Sequence, residues 1–382
     1  LLFIIIMKKH KICIVGSGLT GLISALVLSK KGIDIDLIAE EDKSKPKDLR
    51  VTAISEKNLE FLKFSLKNIN PKLFYPVKRI NLFFENKNQI KNFLNFDENK
   101  NLMFFFENKL TKEHLIKLIK KTNINVQKKT IKSVDFQENR VFTKTSSKKY
   151  DLIILCLGSN SLIYQNITGN REIKKSYKEH SITCTASHKI KNLGAKQFFL
   201  KEGPLAILPY KDNKFSIVWS IDSSFFIKNE KKFIPYLKSK LSILLKTKKI
   251  NLGNIQSYPL KLLLKRNYYK RNVLILGDGL HVVHPLAGQG FNLILRDIKK
   301  LAELISSNLR LGLPIKDSNI PKDFLENRKP ENLLIGLGID TTRKFFKNNK
   351  YLDPIKENIL NKFSKSKILK KITKRVANFG LN

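Results

Sequence analysis

The densest run of chemically useful residues is Gly277-Asp278-Gly279-Leu280-His281-Val282-Val283-His284-Pro285-Leu286-Ala287-Gly288-Gln289-Gly290-Phe291-Asn292-Leu293. Asp278 follows the apolar stretch Asn272 to Leu276, and an aspartate at the end of a buried strand can accept hydrogen bonds from a flexible polyol such as ribitol. Pro285 followed by small residues at a helix start leaves backbone N–H groups free to meet an anionic ring edge. Gly288 and Gly290 permit close approach there, because a side chain would occupy the ligand's place. Histidine as a residue type titrates near neutrality, so His281 and His284 invite a proton-transfer reading. His284 precedes a proline, which pushes it toward extended backbone, and neither histidine is assigned that role.

A second constellation lies near the start: Gly16, Gly18 and Gly21 fit GxGxxG. The first glycine permits a tight turn, the second lets a pyrophosphate approach the backbone, and the third lets helix and strand pack closely. A purely structural glycine turn is the alternative, and the loop alone does not separate NAD from FAD.

The elements needed to hold these groups can be read around them. Lys11 to Val15 is a short apolar strand, Leu22 to Lys30 has apolar residues at helical spacing, and Ile33 to Ile38 is a second strand. This is the form of a right-handed βαβ crossover. Asp151 to Leu157 and Asn272 to Leu276 are further apolar strands, each ending in glycine. Val77 to Phe84, Gln197 to Leu200 and Phe215 to Ser220 suggest an antiparallel sheet inserted into the nucleotide-binding domain. From Pro321 onward the pattern is helical. The carboxylate that hydrogen-bonds the adenosine ribose is expected at the end of the second strand. Ala39 holds that place, and a one-residue bulge would bring in Glu40, which is otherwise a solvated charge.

Composition bounds the reading. The 382 residues are long enough for two or three domains, and 42% are apolar. No apolar run reaches the ~18 to 20 residues of a membrane-spanning helix. Leu1 to Met7 is too short for a signal peptide, and Met7 reads as a possible true start. Cys13, Cys156 and Cys184 offer no disulfide framework and read as core residues, which fits a reducing, cytoplasmic setting. The histidines show no HExxH or paired-ligand spacing, so no metal site is expected. A net charge of +41 would suit nucleic acid or anionic lipid. The lysines are spread along the whole chain, and abundant Lys, Asn and Ile are what an AT-rich genome imposes. Without an RNA-binding or helix-turn-helix signature, nucleic acid is not expected as the partner.

Gly277 to Asn292, with Arg296-Asp297, closely resembles the second flavin motif of the FAD-dependent class A aromatic monooxygenases, and most closely the ubiquinone-biosynthesis hydroxylases. That family reads G-D-A-A-H, then H-P-x-A-G-Q-G-x-N, then R-D. Asp48-Leu49-Arg50 with Ala53 and Ser55, the stretch Gly203 to Pro209, and Gly338 to Asn348 are similar to the same family. The resemblance implies an α/β fold of the para-hydroxybenzoate hydroxylase type: a Rossmann-like FAD-binding domain over 8–72, 107–170 and 260–320, an inserted antiparallel substrate domain over 73–106 and 171–259, and a helical C-terminal region over 321–382.

The resemblance also implies residue roles. Gly16, Gly18, Gly21 and Glu40 would serve the adenosine end of FAD, Arg50 its phosphates, and Asp278 the ribityl or pyrophosphate region. Pro285, Gly288, Gln289, Gly290, Phe291 and Asn292 would line the isoalloxazine edge, with Pro285 and Gln289 nearest the chemistry. The implied reaction is hydroxylation of a polyprenylated phenol through a flavin C4a-hydroperoxide, using O2 and NAD(P)H. The cofactor supplies the chemistry, and the protein supplies orientation and exclusion of water. A bilayer-resident substrate implies a peripheral position on the inner face of the cell membrane, alongside other ubiquinone-synthesis enzymes. Lys362 to Asn378, with Ile368, Leu369, Ile372 and Val376 at helical spacing among lysines, reads either as an interfacial helix or as a packed terminal helix with a basic face.

Departures bear on this reading. Leu157-Gly158 stands where the family has Asp-Gly, Tyr164 where an arginine is usual, and Gly279-Leu280 in place of two alanines. The first two put efficient reduction by NADPH in doubt. An isoprenoid reductase of the same fold and a non-catalytic flavin-binding subunit are the alternatives.

Overall fold

The computed structural model describes residues 10–39, 48–86, 89–169, 172–229, 232–347 and 353–380. Two sheets dominate it. The first has six strands in the order 269–270, 273–275, 152–155, 11–15, 34–38, 125–127. Its central strands pair in parallel, with Ile12 opposite both Leu152 and Ile35. Parallel strands covered on both faces must be apolar throughout, and Ile12 to Val15 and Leu152 to Leu155 are all buried. The helix Leu19–Ser29 packs against them with Gly21 to Leu28 buried, and joins strand Lys11–Val15 to strand Asp34–Ile38. The helix therefore begins nearer the glycine loop than its apolar spacing indicates. Strand Leu152–Leu155 ends before Cys156, so Cys156 to Gly158 form a loop facing the first one.

The second sheet has eight strands, in the order 281–282, 250–265, 172–188, 214–222, 203–211, 195–200, 79–86, 89–97. It is antiparallel apart from the contact of Arg79–Asn86 with Ala195–Leu200, which pair in parallel with Phe83 opposite Phe198. Successive side chains on a strand point to opposite faces. Ile182, Cys184, Leu205, Ile207, Ile217 and Trp219 point to one face and pack with Phe233, Leu237 and Leu241 of helix Phe233–Leu245. Their neighbours Ser181, Thr183, Ala206, Leu208 and Val218 point to the other face, which walls a cavity.

A three-stranded sheet of Val51–Ser55, Met103–Glu107 and Tyr75–Val77 bridges the two. The late region holds the helices Ile320–Phe346, Asp353–Lys365 and Lys367–Phe379, so the basic segment read as one helix from Lys362 is broken at Ser366. Among the described residues, no helix is long and apolar enough to cross a membrane. Cys13 and Cys184 are buried, while Cys156 packs against the core and also borders the cavity.

Candidate active site

A cavity of about 2050 Å³ lies between the carboxyl ends of the parallel strands and the free face of the eight-stranded sheet. Small-molecule sites are usually ~300–1,000 Å³, so the space admits a dinucleotide together with a second molecule.

At one end stands the glycine loop, whose three glycines answer to different demands. Gly16 has φ +112°, and a Cβ on it would lie 2.3 Å from the Cys156 carbonyl oxygen. A Cβ on Gly21 would lie 1.9 Å from the Gly16 carbonyl oxygen. A Cβ on Gly18 would meet no protein atom within 4 Å. Gly18 caps helix Leu19–Ser29 without any side-chain bond to the first amides. Its bareness keeps open the space in front of a helix N-terminus, where an anionic group is favoured. Ala39 borders the cavity and its amide donates to the Gln127 carbonyl. Glu40 lies outside the described residues.

Asp48, Arg50 and Asp278 border the middle of the cavity. Arg50 donates through Nε and Nη2 to the two carboxylate oxygens of Asp48, both at 2.8 Å, and its guanidinium lies 5.3 Å from the centre of the Tyr258 ring. Burial, the largest single influence, would raise the Asp48 carboxyl, but the hydrogen bonds and positive charge of Arg50, with the bond from Asn108, together outweigh it and hold the group below its ordinary value. Asp278 sits in a single helical turn, Gly277–Gly279, at the end of strand Val273–Ile275, and is exposed to the cavity.

Pro285, Gly288, Gln289, Gly290 and Phe291 follow along the wall. Helix Gln289–Arg310 starts there, capped by Gly288 at φ +62°. A Cβ on Gly288 would also come within 2.6 Å of the Ala53 side chain. Gly290 has ordinary space around it, its nearest neighbour being a Val283 methyl at 3.7 Å. Phe291 meets Phe106 edge to face. Asn292 is turned away from the cavity and is fully buried. Its Oδ1 accepts from the Ser55 amide and from Asn58 Nδ2, both at 2.8 Å, and its Nδ2 donates to the Gly288 and Ala53 carbonyls. It latches the cavity wall to strand Val51–Ser55.

The three departures noted in the sequence meet in space. Tyr164 is buried, and its hydroxyl accepts from the Leu157 amide at 2.9 Å. A Cβ on Gly279 would lie 2.6 Å from that ring. The larger residue at 164 is thus matched by the smaller one at 279, and Leu157 keeps its backbone partner.

Neither histidine stands free for chemistry. Among the described residues His281 Nε2 lies 2.7 Å from Asp297 Oδ2, and Asp297 Oδ1 accepts from Arg328 Nε at 2.7 Å and from Asn332. Burial alone would raise the Asp297 carboxyl; Arg328 and His281 override it and keep the group below its ordinary value. Arg328 and Arg296 both pair with Glu331, which completes a buried chain of ions between helices Gln289–Arg310 and Ile320–Phe346.

The His284 side chain faces away from the cavity, with Nε2 3.4 Å from Glu179 Oε2, while Arg343 grips the same carboxylate. Burial pushes the His284 imidazole below its ordinary value. Burial would raise Glu179, but the nearby His284 ring and the hydrogen-bonded Arg343 guanidinium hold it at about 2. Sequence reasoning did not find Asn58, Arg328, Glu331 or Glu179, because the only available signal, Arg296-Asp297, names no partner.

The far end of the cavity is mainly apolar, with Leu82, Phe96, Phe199, Leu208, Val218 and Leu260 on its walls and Ser181, Thr183 and Tyr258 as polar points.

Known proteins resemble this one in sequence and in shape. The ubiquinone biosynthesis monooxygenase COQ6 of Dictyostelium discoideum is 29% identical over 246 residues, 52% of this chain and 49% of that protein. The ubiquinone hydroxylase UbiL of Rhodospirillum rubrum is 31% identical over 186 residues, 45% and 41% of the two chains. The chain spans about half the length of the curated relatives it matches. Among solved structures, the p-nitrophenol 4-monooxygenase PnpA of Pseudomonas putida superimposes with a TM-score of 0.76 at 13% identity, covering 96% of this chain and 98% of that one. HpxO of Klebsiella pneumoniae, complexed with FAD and uric acid, gives 0.71 at 13% identity, with 97% of each chain covered. These likenesses establish the expected class A flavin monooxygenase fold. The match to the family described as FAD binding domain runs over residues 9–311, from before the glycine loop to the end of the helix that Gln289 begins; the chain belongs to that family, and its cofactor is FAD.

Proposed function

We propose that this protein is an FAD-dependent monooxygenase that hydroxylates the aromatic ring of a polyprenylated phenol in ubiquinone biosynthesis. The observation that carries the reading is one continuous cavity: the glycine loop lines one end, Asp278 and the Pro285–Phe291 wall follow, and a mainly apolar chamber lies beyond. The similarity to ubiquinone hydroxylases supports the choice of substrate.

In this reading residues 8–72, 107–170 and 260–320 serve the cofactor, 73–106 and 171–259 the substrate, and 321–382 form the helical C-terminal region. Gly16 turns the chain and Gly21 lets the helix pack close, so that the pyrophosphate meets the helix N-terminus opened by Gly18; Arg50 adds positive charge, and Asp278 accepts from ribityl hydroxyls. Bound FAD, once reduced by NAD(P)H, supplies the activation of O2. Pro285, Gly288, Gln289 and Gly290 present the N-terminus of helix Gln289–Arg310, whose partial positive charge favours an electron-rich ring edge. Asn292 and Phe291 fix that wall, and Glu40 is the carboxylate proposed for the adenosine ribose. The apolar chamber orients the phenol and excludes water, which strengthens every electrostatic contact inside. Because the substrate's tail resides in the bilayer, the protein is proposed to work on the inner face of the cell membrane beside other ubiquinone-synthesis enzymes.

The test begins with the purified protein, which should be yellow and release FAD on denaturation. Chemically reduced and exposed to O2 with a prenylated phenol, it should yield a product one oxygen heavier. Yellow protein that leaves every such phenol unchanged would overturn the hydroxylase reading and leave a flavin-binding subunit.

A further inference from the structure

Helix Lys367–Phe379 has two faces with different surroundings. Thr373, Lys374 and Asn378 form part of the cavity wall. On the outside Ile368 is 72% exposed, Ile372 52% and Leu369 40%, an apolar stripe at i, i+1 and i+4 with Lys367, Lys370, Lys371 and Arg375 around it. No acidic residue follows Glu357 in the chain.

The contacts that hold the helix gather toward its end. Lys374 pairs with Glu98, the Ser55 hydroxyl and the Lys57 amide donate to Asn378, and Arg296 reaches the Val376 carbonyl. Ser55 is the residue whose amide is held by Asn292, so the anchored end is joined to the cofactor wall. The apolar stripe lies in the half nearer the break at Ser366.

We propose that helix 367–379 is a membrane-operated gate: its outer face docks on an anionic bilayer, and the docked helix swings about its anchored end to open the cavity toward the lipid. Three exposed apolar side chains with a surrounding set of cations are what an interfacial helix needs, since apolar burial and attraction to anionic headgroups add. The same cations repel a second copy of this face, and a polyanion without an apolar phase would leave Ile368 and Ile372 in water. Thirteen residues are too short to span a bilayer, so the helix lies on it. The proposal rests on the reading of a lipid-borne substrate in the part of it that concerns opening.

Flotation of the FAD-loaded protein with vesicles tests the docking. The protein should rise with phosphatidylcholine vesicles containing phosphatidylglycerol and stay down with phosphatidylcholine alone. Ile368→Asp with Ile372→Asp should lower the affinity for anionic vesicles by about a hundredfold, with flavin content and melting temperature unchanged. The change in the bound flavin's visible spectrum then reports ligand entry. A farnesylated phenol delivered in anionic vesicles should enter the double variant at least about tenfold more slowly than the native protein, while a water-soluble short-chain phenol enters both alike. Native protein that ignores anionic vesicles, or a variant that takes up the vesicle-borne phenol as fast as native, would overturn the gate. Protein that docks and admits the phenol but hydroxylates nothing would instead sink the hydroxylase reading alone.

Discussion

Gly18 and Gly21 look equivalent in a motif but differ in what surrounds them. Gly21 is demanded by the protein, because a methyl there would collide with the Gly16 carbonyl at 1.9 Å. Gly18 is demanded by nothing in the polypeptide: its φ of −72° suits any residue, and the space in front of it is open to the cavity. The two alanine variants should therefore part company. Gly21→Ala should destabilise the fold by at least ~1–3 kcal/mol, the usual cost of overpacking, visible as a lower urea midpoint even without cofactor. Gly18→Ala should unfold at the native midpoint and yet bind FAD more weakly, by on the order of tenfold, because its methyl intrudes on the pyrophosphate's approach. Fluorescence titration with FAD checks the second, and unchanged affinity would mean that the phosphates pass elsewhere. Tyr164 and Gly279 form a large-for-small exchange across one contact that leaves the Leu157 amide satisfied.

At the scale of elements, the cavity wall depends on helix Gln289–Arg310 being held from behind. Asp297 and Glu331 bring two negative charges into the core, and Arg328 and Arg296 balance them. Replacing Arg328 with methionine would keep its bulk and leave Asp297 with only His281 and Asn332 beside it. Removing one partner of a buried ion set typically costs ~3–5 kcal/mol, and urea unfolding of Arg328→Met should show a loss of that size; a loss under ~1 kcal/mol would mean the ions add little.

This network also marks where sequence legibility ends. The strand, loop and helix around Gly16 are legible because their signal is local: a run of apolar residues, three glycines and an apolar helix within two dozen positions. The groups about Asp278 and Pro285 are legible for the same reason. Arg328 is not, since an arginine in a helix reads as solvated until its partner, 31 residues earlier, is brought beneath it. Strand Glu172–His188 is equally hidden. Its first half, with Lys174, Lys175 and Ser176 exposed, carries no alternation, and only pairing with Ile250–Lys265 makes it a strand. The parallel contact of 79–86 with 195–200 joins segments more than a hundred residues apart, which no local pattern specifies.

The whole molecule carries its charge unevenly, and acid should expose this. Its 73 Lys and Arg outnumber 32 Asp and Glu, so neutralising every carboxylate moves the net charge from +41 toward +73, and self-repulsion grows as pH falls. Specific groups act in the same direction. Burial lowers the His284 imidazole in the fold, so the unfolded chain takes up its proton first, and stability should begin to fall as pH drops below ~6.5. Glu179 is ionised in the fold down to about 2, against an ordinary value of 4.5. A depressed carboxyl contributes stability that is fully present above its unfolded value and lost as pH falls through its folded one. Its share, roughly 3 kcal/mol from a difference of that size, should therefore disappear between pH ~5 and ~2. Glu179→Gln isolates this share, because glutamine keeps the shape but never carries the charge that Arg343 and His284 meet. At pH 7 the variant should unfold at a distinctly lower urea concentration than native protein, and the two midpoints should converge as the pH approaches 2. A gap that stays constant with pH would show that Glu179 acts through packing alone, and that Arg343 draws no stability from its charge.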